Sequence, residues 1–347
     1  MLNLTVRNVG QGDCIVLRWK NDDDQDVLGI IDCNEHNMES LLAEISEVKI
    51  IKFILLTHPH SDHYSGLFEL LKYCFNPAHS ITVDYIYHSA TLTPEFLIGA
   101  INYPRDRKLF SELLKRFNEI HHSPDNVTKC KGVGAGVVIE LNSVLKIKCL
   151  APDYDEIQEY TSTLFEKSED YVRFKHKTNN PRGNFLSTVL LITTPKWDIL
   201  LTSDAMRTTF ERLMKSDKPT LKNEVNIVLS QVPHHGSFQN HAPQFWIPRI
   251  SPSHYTFISS GIHKGYKHPH CEVVKFFHQN SKLEFTNYIE GFDECEPEKL
   301  QSDTSIDLDI LDFISEPVLK PRLRYAGDIP FNIDKDGNVY RSTPRNM

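Results

Sequence analysis

The chain has 347 residues, of which 40% are hydrophobic and 24% charged, and its formal net charge is -8 at pH 7. This length accommodates one large α/β domain or two smaller ones, with enough apolar residues for a sizeable core. The negative charge argues against indiscriminate binding to polyanions, so a nucleic-acid substrate would need a local basic groove. No apolar run approaches the roughly 20 residues that span a bilayer, and we expect no membrane segment.

The cysteines and the N-terminus indicate the cellular compartment of the protein. All seven cysteines occur singly, several of them inside apolar, strand-like stretches. This pattern predicts reduced, buried thiols in a cytoplasmic protein and argues against a disulfide framework or a zinc ribbon. The first ten residues predict a strand. They do not predict a signal peptide, because they lack a basic segment followed by a long apolar one.

The first half of the chain alternates predicted strands and helices. Gly10 and Gly12 lie in the first turn and permit positive φ or a close approach of the backbone. Strands are predicted at 2–6, 14–19, 27–31, 50–56, 81–88, 137–141 and 144–150, and helices at 38–48, 67–71 and 108–120.

The second half repeats the alternation after a polar segment, residues 153–184, that predicts a surface loop. This segment contains the densest basic cluster of the chain, formed by Arg173, Lys175, His176, Lys177 and Arg182. Such a cluster is typical of a solvated face, or of phosphate contacts if it flanks an active site. Strands are predicted at 186–193, 197–202, 225–229 and 255–259, and helices at 206–214 and after residue 270. Two alternating halves predict stacked sheets with helices outside.

A short segment after the predicted strand 50–56 contains His58, His60, Asp62 and His63. Imidazole nitrogen and carboxylate oxygen together suit Zn²⁺, Mn²⁺ or Fe²⁺. His58 and His60 can point the same way from an extended segment, while Asp62 and His63 turn toward a second point. This loop can therefore hold part of two neighbouring metal sites. The alternative is a histidine-rich surface loop, but the buried strand before it and the apolar helix after it favour a metal site.

This segment resembles the His-x-His-x-Asp-His signature of the metallo-β-lactamase fold hydrolases. Five further motifs follow the order found in the branch that contains the hydrolase domain of ComEC-type DNA-uptake proteins; they lie at 8–13, 30–32, 202–204, 232–237 and 268–270. The resemblance implies an α/β fold, the αββα four-layer sandwich, for residues 1–280. Residues 281–347 are then a C-terminal extension with an acidic loop and a predicted β-hairpin.

The resemblance also implies two divalent metal ions, zinc or manganese, in a groove at the edge of the sandwich. The implied ligands are His58 and His60 at the first ion, Asp62 and His63 at the second, Asp204 as a bridge, and one of His234 and His235, with His235 preferred, at the second ion. Many enzymes of this fold carry another histidine near Asn184. The first site is therefore one imidazole short, and His176 is one candidate to fill it.

The remaining candidate catalytic residues are Asp62, His268 and His270. The two histidines either cap the helix that begins near Cys271 or donate a hydrogen bond or proton to a phosphate oxygen or leaving group. Asp13 and Asp32 are predicted to orient ligand histidines.

The function implied is a metal-dependent hydrolase, foremost a phosphodiesterase or nuclease that acts on DNA or RNA through a hydroxide held by the two metals. Two alternatives stay open. The first is a hydrolase of a small ester, such as a cyclic nucleotide, a phosphocholine ester or a lactone, which the acidic charge favours. The second is a non-catalytic partner protein that retains the fold. The substrate identity, protein partners and oligomeric state do not follow from the sequence.

Overall fold

The computed structural model describes residues 1–89, 97–98, 101, 104–124, 126–167, 172–174, 183–215, 226–261, 268–289 and 323–342. Within them the helices are α1 (Met38–Ser46), α2 (Ser61–Tyr64), α3 (Leu67–Cys74), α4 (Pro104–His122), α5 (Tyr154–Leu164), α6 (Arg207–Lys215), α7 (Pro243–Trp246) and α8 (Cys271–Asn280). The strands are β1 (Leu2–Val6), β2 (Ile15–Lys20), β3 (Asp26–Ile31), β4 (Ile50–Leu55), β5 (Thr82–His88), β6 (Lys129–Gly132), β7 (Val138–Glu140), β8 (Lys146–Ala151), β9 (Phe165–Lys167), β10 (Val172–Phe174), β11 (Val189–Thr193), β12 (Asp198–Leu201), β13 (Ile227–Gln231), β14 (Tyr255–Ile258), β15 (Lys282–Phe285), β16 (Asn287–Ile289), β17 (Leu323–Ala326), β18 (Ile329–Ile333) and β19 (Val339–Arg341).

The strands form two large mixed sheets. The first has the order β19-β18-β1-β2-β3-β4-β5-β6, and its strands from β3 to β6 are parallel. The second has the order β15-β14-β13-β12-β11-β8-β7, and its strands β12 to β15 are parallel. Two short pairs, β9 with β10 and β16 with β17, stand apart from both sheets. In each sheet the parallel strands are therefore neighbours, grouped at one side of the sheet.

Three apolar clusters define four layers. Side chains from both sheets, such as Leu4 and Ile192, pack together in the central cluster. The outer face of the first sheet is covered by helices α1, α3 and α4, through residues such as Leu70. The outer face of the second sheet is covered by α6, α7 and α8, through residues such as Phe210 and Trp246. This αββα arrangement confirms the predicted sandwich.

Helix α5 lies where the sequence predicts a surface loop. Its apolar residues Ile157, Tyr160 and Leu164 recur at helical spacing and pack on the outer core of the first sheet. Asp153 caps the helix, because its Oδ1 accepts hydrogen bonds from the backbone N–H groups of Asp155 and Glu156. The loop prediction for this stretch is wrong, because three apolar residues at helical spacing suffice for a buried helix face.

The basic cluster cannot be placed against the site. Lys175, His176, Lys177 and Arg182 lie outside the described residues, as does the side chain of Arg173. Its contact with phosphates stays a prediction.

The C-terminal strands extend the first sheet. Strand β18 pairs antiparallel with β1, with Phe331 opposite Leu4, and β19 pairs with β18. The side chains of Ile329, Phe331 and Ile333 are fully buried. The described part of the extension thus contributes to the central core. The division of the chain near residue 280 stays a prediction.

Among the described cysteines, Cys271 departs from expectation. Cys14, Cys33, Cys74 and Cys149 are buried free thiols, whereas Cys271 is bonded in a disulfide. The prediction that all are reduced is therefore wrong, and the cytoplasmic location stays a prediction. None of the described helices combines the length and apolar character needed to cross a bilayer.

Candidate metal centre

The candidate site lies where carboxyl ends of strands from both sheets meet. Asp32 follows β3, His58 follows β4, Asp204 follows β12 and His234 follows β13. Ligands in α/β proteins commonly bind at this end of parallel strands, where loops carry side chains on a rigid scaffold.

Asp204 is the centre of the arrangement and is buried. Its Oδ1 is 3.5 Å from His63 Nε2 and 3.6 Å from His235 Nε2. Its Oδ2 is 3.6 Å from His58 Nε2 and 3.4 Å from His234 Nε2. Each carboxylate oxygen therefore faces two imidazoles.

Two groups of potential ligands share this carboxylate, and within each the ligand atoms lie within 4.8 Å of one another. The first group is His58, His60 and Asp204, and the second is Asp62, His63, Asp204 and His235. The structure thus brings together the predicted ligands other than His234, which belongs to neither group but has its Nε2 3.4 Å from Asp204 Oδ2. It also places both His234 and His235 against Asp204, where one was expected. Their binding of metal stays a proposal.

The residues present fit a divalent cation. His63 Nε2, His235 Nε2 and Asp204 Oδ1 are buried and have no hydrogen-bond partner among the described residues. Buried polar atoms nearly always have such a partner, so converging ring nitrogens and a carboxylate oxygen without one indicate a site built for a positive ion. Imidazole and carboxylate donors suit zinc and manganese.

Partners on the far side of each ring fix the tautomers. His63 Nδ1 lies 2.6 Å from Asp32 Oδ2, and His235 Nδ1 lies 2.6 Å from the carbonyl oxygen of Ser259. Both oxygens accept, so each Nδ1 carries a proton, and each Nε2 presents a lone pair to the site when its ring is neutral. The prediction that Asp32 orients a ligand histidine is confirmed.

Asp13 has a different partner from the one predicted. Its Oδ2 accepts a hydrogen bond from Gln231 Nε2 at 2.7 Å, whereas His63 Nδ1 is 3.9 Å away. Gln231 Oε1 in turn accepts from the backbone N–H groups of Thr202 and Ser203, directly before Asp204. Sequence reasoning missed Gln231. Its only signal is a polar residue at the end of an apolar strand beside the His234-His235 motif.

Burial and charge oppose each other at the carboxylates. Burial would raise the pKa of Asp204, but His234, His235 and His63 together hold that pKa well below its usual range. Burial likewise opposes the lowering of the Asp62 pKa that His63 and His235 produce. Both carboxylates are therefore ionised at neutral pH, as metal ligands must be.

The imidazoles differ in the direction of their pKa shifts. Burial, together with His63 and His60, lowers the pKa of His58 well below its usual value. Burial acts in the same direction on His63, but Asp32, Asp204 and Asp62 outweigh it and raise the pKa. The pKa of His235 is raised to about 9, because Asp204 and Asp62 again outweigh burial. In the metal-free chain, protons on His63 and His235 offset the carboxylate charge.

The backbone around the site is unusual. Asp32, Ser203, His234 and His235 all have positive φ, between 45° and 58°. Residues with a Cβ rarely adopt this conformation, and it clusters at functional sites. Gly12, at φ 127°, packs so tightly that a Cβ there would collide with the Asp62 carbonyl oxygen. The close approach expected of this glycine is confirmed.

His268 and His270 lie beside the cluster. The His268 ring centroid is 5.1 Å from that of His234, and the side chain is buried. His270 is the N-cap of α8, but its Nδ1 accepts from the N–H of Phe238, which lies outside that helix. Burial lowers the pKa of His268 well below its usual value, so this ring is neutral at neutral pH.

Asn184 occupies the position where a further histidine was sought. Its Nδ2 is 3.5 Å from His234 Nδ1, so this position adjoins the cluster. His176, the other candidate, lies outside the described residues.

Residues 7–135 match the family model of the Metallo-beta-lactamase superfamily. The match includes the segment from His58 to His63, and the αββα sandwich is the fold of that superfamily. The matched residues and the sandwich are those of a metallo-β-lactamase superfamily domain in the first part of the chain. No curated protein matches the chain significantly. The finer resemblance to the ComEC-type branch stays a prediction.

Several solved structures are similar to the chain. Unliganded yeast PDE1 is 11% identical, with a TM-score of 0.45, over 82% of this chain and 98% of that one. YhfI from Bacillus subtilis is 12% identical, with a TM-score of 0.44, over 82% and 96%. A diphosphatase of the PhnP family is 13% identical, with a TM-score of 0.40, over 82% and 95%. Identities and TM-scores this low carry no inference about activity.

Proposed function

We propose that this chain is a metal-dependent phosphodiesterase that hydrolyses DNA or RNA at a dinuclear centre. The observation that carries the proposal is the position of Asp204, whose two oxygens each face a separate group of imidazoles. Two divalent ions in such a site lower the pKa of bound water toward ~7 and offset the charge of an anionic ester. Zinc and manganese both suit the donor set.

The chain's own side chains have separate tasks in this proposal. Asp62 and Asp204 are ionised and would hold the cations, and Asp32 fixes the ring of His63. His270 accepts the Phe238 N–H at Nδ1, so any hydrogen bond or proton that it donates to a phosphate oxygen or leaving group comes from Nε2. His268, with Nδ1 3.3 Å from His270 Nδ1, positions this ring.

Nucleic acid is the first candidate substrate because the motifs and their order resemble the hydrolase domain of ComEC-type proteins. The net charge of -8 supports a small ester as the second candidate, since an acidic surface repels a polyanion.

The test is an assay of the purified protein with Mn²⁺ or Zn²⁺ against labelled single-stranded DNA, duplex DNA, RNA and bis-p-nitrophenyl phosphate. We expect cleavage of at least one polymer, and its loss by several orders of magnitude in Asp204→Ala. His121→Ala is the matched control, because His121 is an exposed histidine on α4. Turnover of bis-p-nitrophenyl phosphate without polymer cleavage would favour the small ester. Equal loss in both variants would show that the site is misplaced.

A further inference from the structure

The first group of ligands is one donor short. His58, His60 and Asp204 supply three protein ligands, whereas the second group has four. Asn184 stands where an imidazole is missing, and its Oδ1 is buried with no hydrogen-bond partner among the described residues. Two side chains therefore compete as the fourth donor of the first site, Asn184 and its neighbour His234.

Asn240 decides the tautomer of His234. Its Nδ2 donates hydrogen bonds to the carbonyl oxygens of Ala205 at 2.9 Å and Asp204 at 3.3 Å. Because those oxygens only accept, the amide orientation is fixed, and Oδ1 is the atom that lies 2.9 Å from His234 Nδ1. His234 Nδ1 therefore carries the proton. Its Nε2 presents a lone pair toward Asp204 Oδ2, 3.4 Å away.

His234 thus repeats the arrangement of the other rings around Asp204. His63 and His235 each donate from Nδ1 to an oxygen and direct Nε2 at Asp204 Oδ1. His234 does the same toward Oδ2, the oxygen that His58 Nε2 also faces. Consecutive left-handed residues, with φ 47° and 52°, direct the two neighbouring rings to opposite oxygens of one carboxylate.

We infer that His234 is the fourth ligand of the first metal site, so that the His234-His235 pair supplies one imidazole to each ion. The inference rests on the proposed dinuclear function. His234 takes the place of the histidine absent at position 184, and both sites then have four protein ligands. The first site then has three imidazoles and a carboxylate, which suits zinc. The two sites should bind with similar affinity.

The experiment measures Co²⁺ and Zn²⁺ affinities of the chelated full chain with a competing indicator dye, together with the visible absorption of bound Co²⁺. We expect His234→Ala to weaken one of two sites by at least about 100-fold, and Asn240→Ala to weaken the same site by about 10–100-fold. His235→Ala should weaken the other site. Asn184→Ala is the matched control and should leave both affinities and the spectrum unchanged.

A circular dichroism spectrum and a urea unfolding midpoint like those of the parent protein guard against misfolded variants. Two sites of parental affinity in His234→Ala, or a site lost in Asn184→Ala and kept in His234→Ala, would overturn the inference and leave the dinuclear proposal standing. Failure of the parent protein to bind two ions would instead overturn the proposed function itself.

Discussion

Asp32 shows how one buried carboxylate determines the proton position of a histidine in another motif. Thr57 holds it through two hydrogen bonds, from its backbone N–H at 2.8 Å and its hydroxyl at 2.7 Å. The carboxylate then accepts from His63 Nδ1, which leaves Nε2 directed at Asp204. Without this acceptor the His63 ring is free to rotate and to change tautomer.

Asp32→Ala should therefore lower metal affinity by about 10–100-fold. Asp198→Ala is the matched control, because Asp198 is also buried but begins β12 at the end opposite Asp204. We expect the control to lower the free energy of unfolding and leave metal affinity unchanged, as read by dye competition and urea titration. Equal metal affinities in the two variants would contradict the role of Asp32.

Protons on His63 and His235 should compete with metal. The pKa of His235 is raised to about 9, and that of His63 is raised well above its usual value, so both metal-free rings hold a second proton to higher pH than a free imidazole. The raised pKa of His235 stabilises the metal-free fold fully below about pH 6.5, and this stabilisation is lost as the pH rises through about 9; the raised pKa of His63 acts in the same direction. Metal affinity should therefore increase from about pH 6.5 to 9.

Calorimetry in buffers of different ionisation enthalpy measures this competition. Binding at about pH 7.5 should release protons, because both raised-pKa rings must be neutral to bind and the pKa of His235 is about 9. A binding enthalpy that does not depend on the buffer would show that these rings are neutral before metal arrives.

At the scale of elements, the first turn supports the metal loop. Gly12 lies against the Asp62 carbonyl oxygen, whereas Gly10 has open space where its Cβ would be, although both have positive φ. Asn34 Nδ2 adds hydrogen bonds to the carbonyl oxygens of Gln11 and Asp62. The turn between β1 and β2 therefore holds the backbone of α2 in place.

This contact predicts that a glycine-to-alanine substitution has different effects at positions 10 and 12. Gly10→Ala should cost about 1–2 kcal/mol through backbone strain alone, with metal affinity unchanged. Gly12→Ala should cost more and should also weaken metal binding, because the carbonyl of Asp62 must move. Denaturant unfolding and dye competition on both variants provide the test. Unchanged metal affinity in Gly12→Ala would mean that the turn does not support the site.

At the scale of the whole molecule, the C-terminal hairpin joins the two sheets. The Phe331 ring is fully buried, with its centroid 5.6 Å from that of Tyr255 and 6.2 Å from that of Phe257 in the second sheet. Phe331→Ala should lower the free energy of unfolding by about 3–5 kcal/mol. Tyr340→Ala, at an exposed position on β19, should change it by less than about 0.5 kcal/mol. An unchanged free energy of unfolding in Phe331→Ala would instead support a detached C-terminal extension.

The sandwich and the ligand cluster follow from the sequence because both depend on local pattern. Alternating strands and helices predict the layers, and the close spacing of the histidines and the aspartate between His58 and His63 predicts a metal site. The supporting contacts do not follow. Gln231 and Asn240 are ordinary polar residues until folding brings them to Asp13 and His234. Helix α5 was missed because its buried face has only three apolar residues within a largely polar segment.

The most direct test of the central claim is metal content measured beside hydrolysis on one sample. The protein is chelated, dialysed and reloaded stepwise with Zn²⁺ or Mn²⁺ while turnover of bis-p-nitrophenyl phosphate is followed. We predict negligible hydrolysis without metal, an unchanged circular dichroism spectrum, and full activity when about two ions are bound per chain. Hydrolysis that persists at full rate in excess chelator would contradict a metal-dependent centre around Asp204.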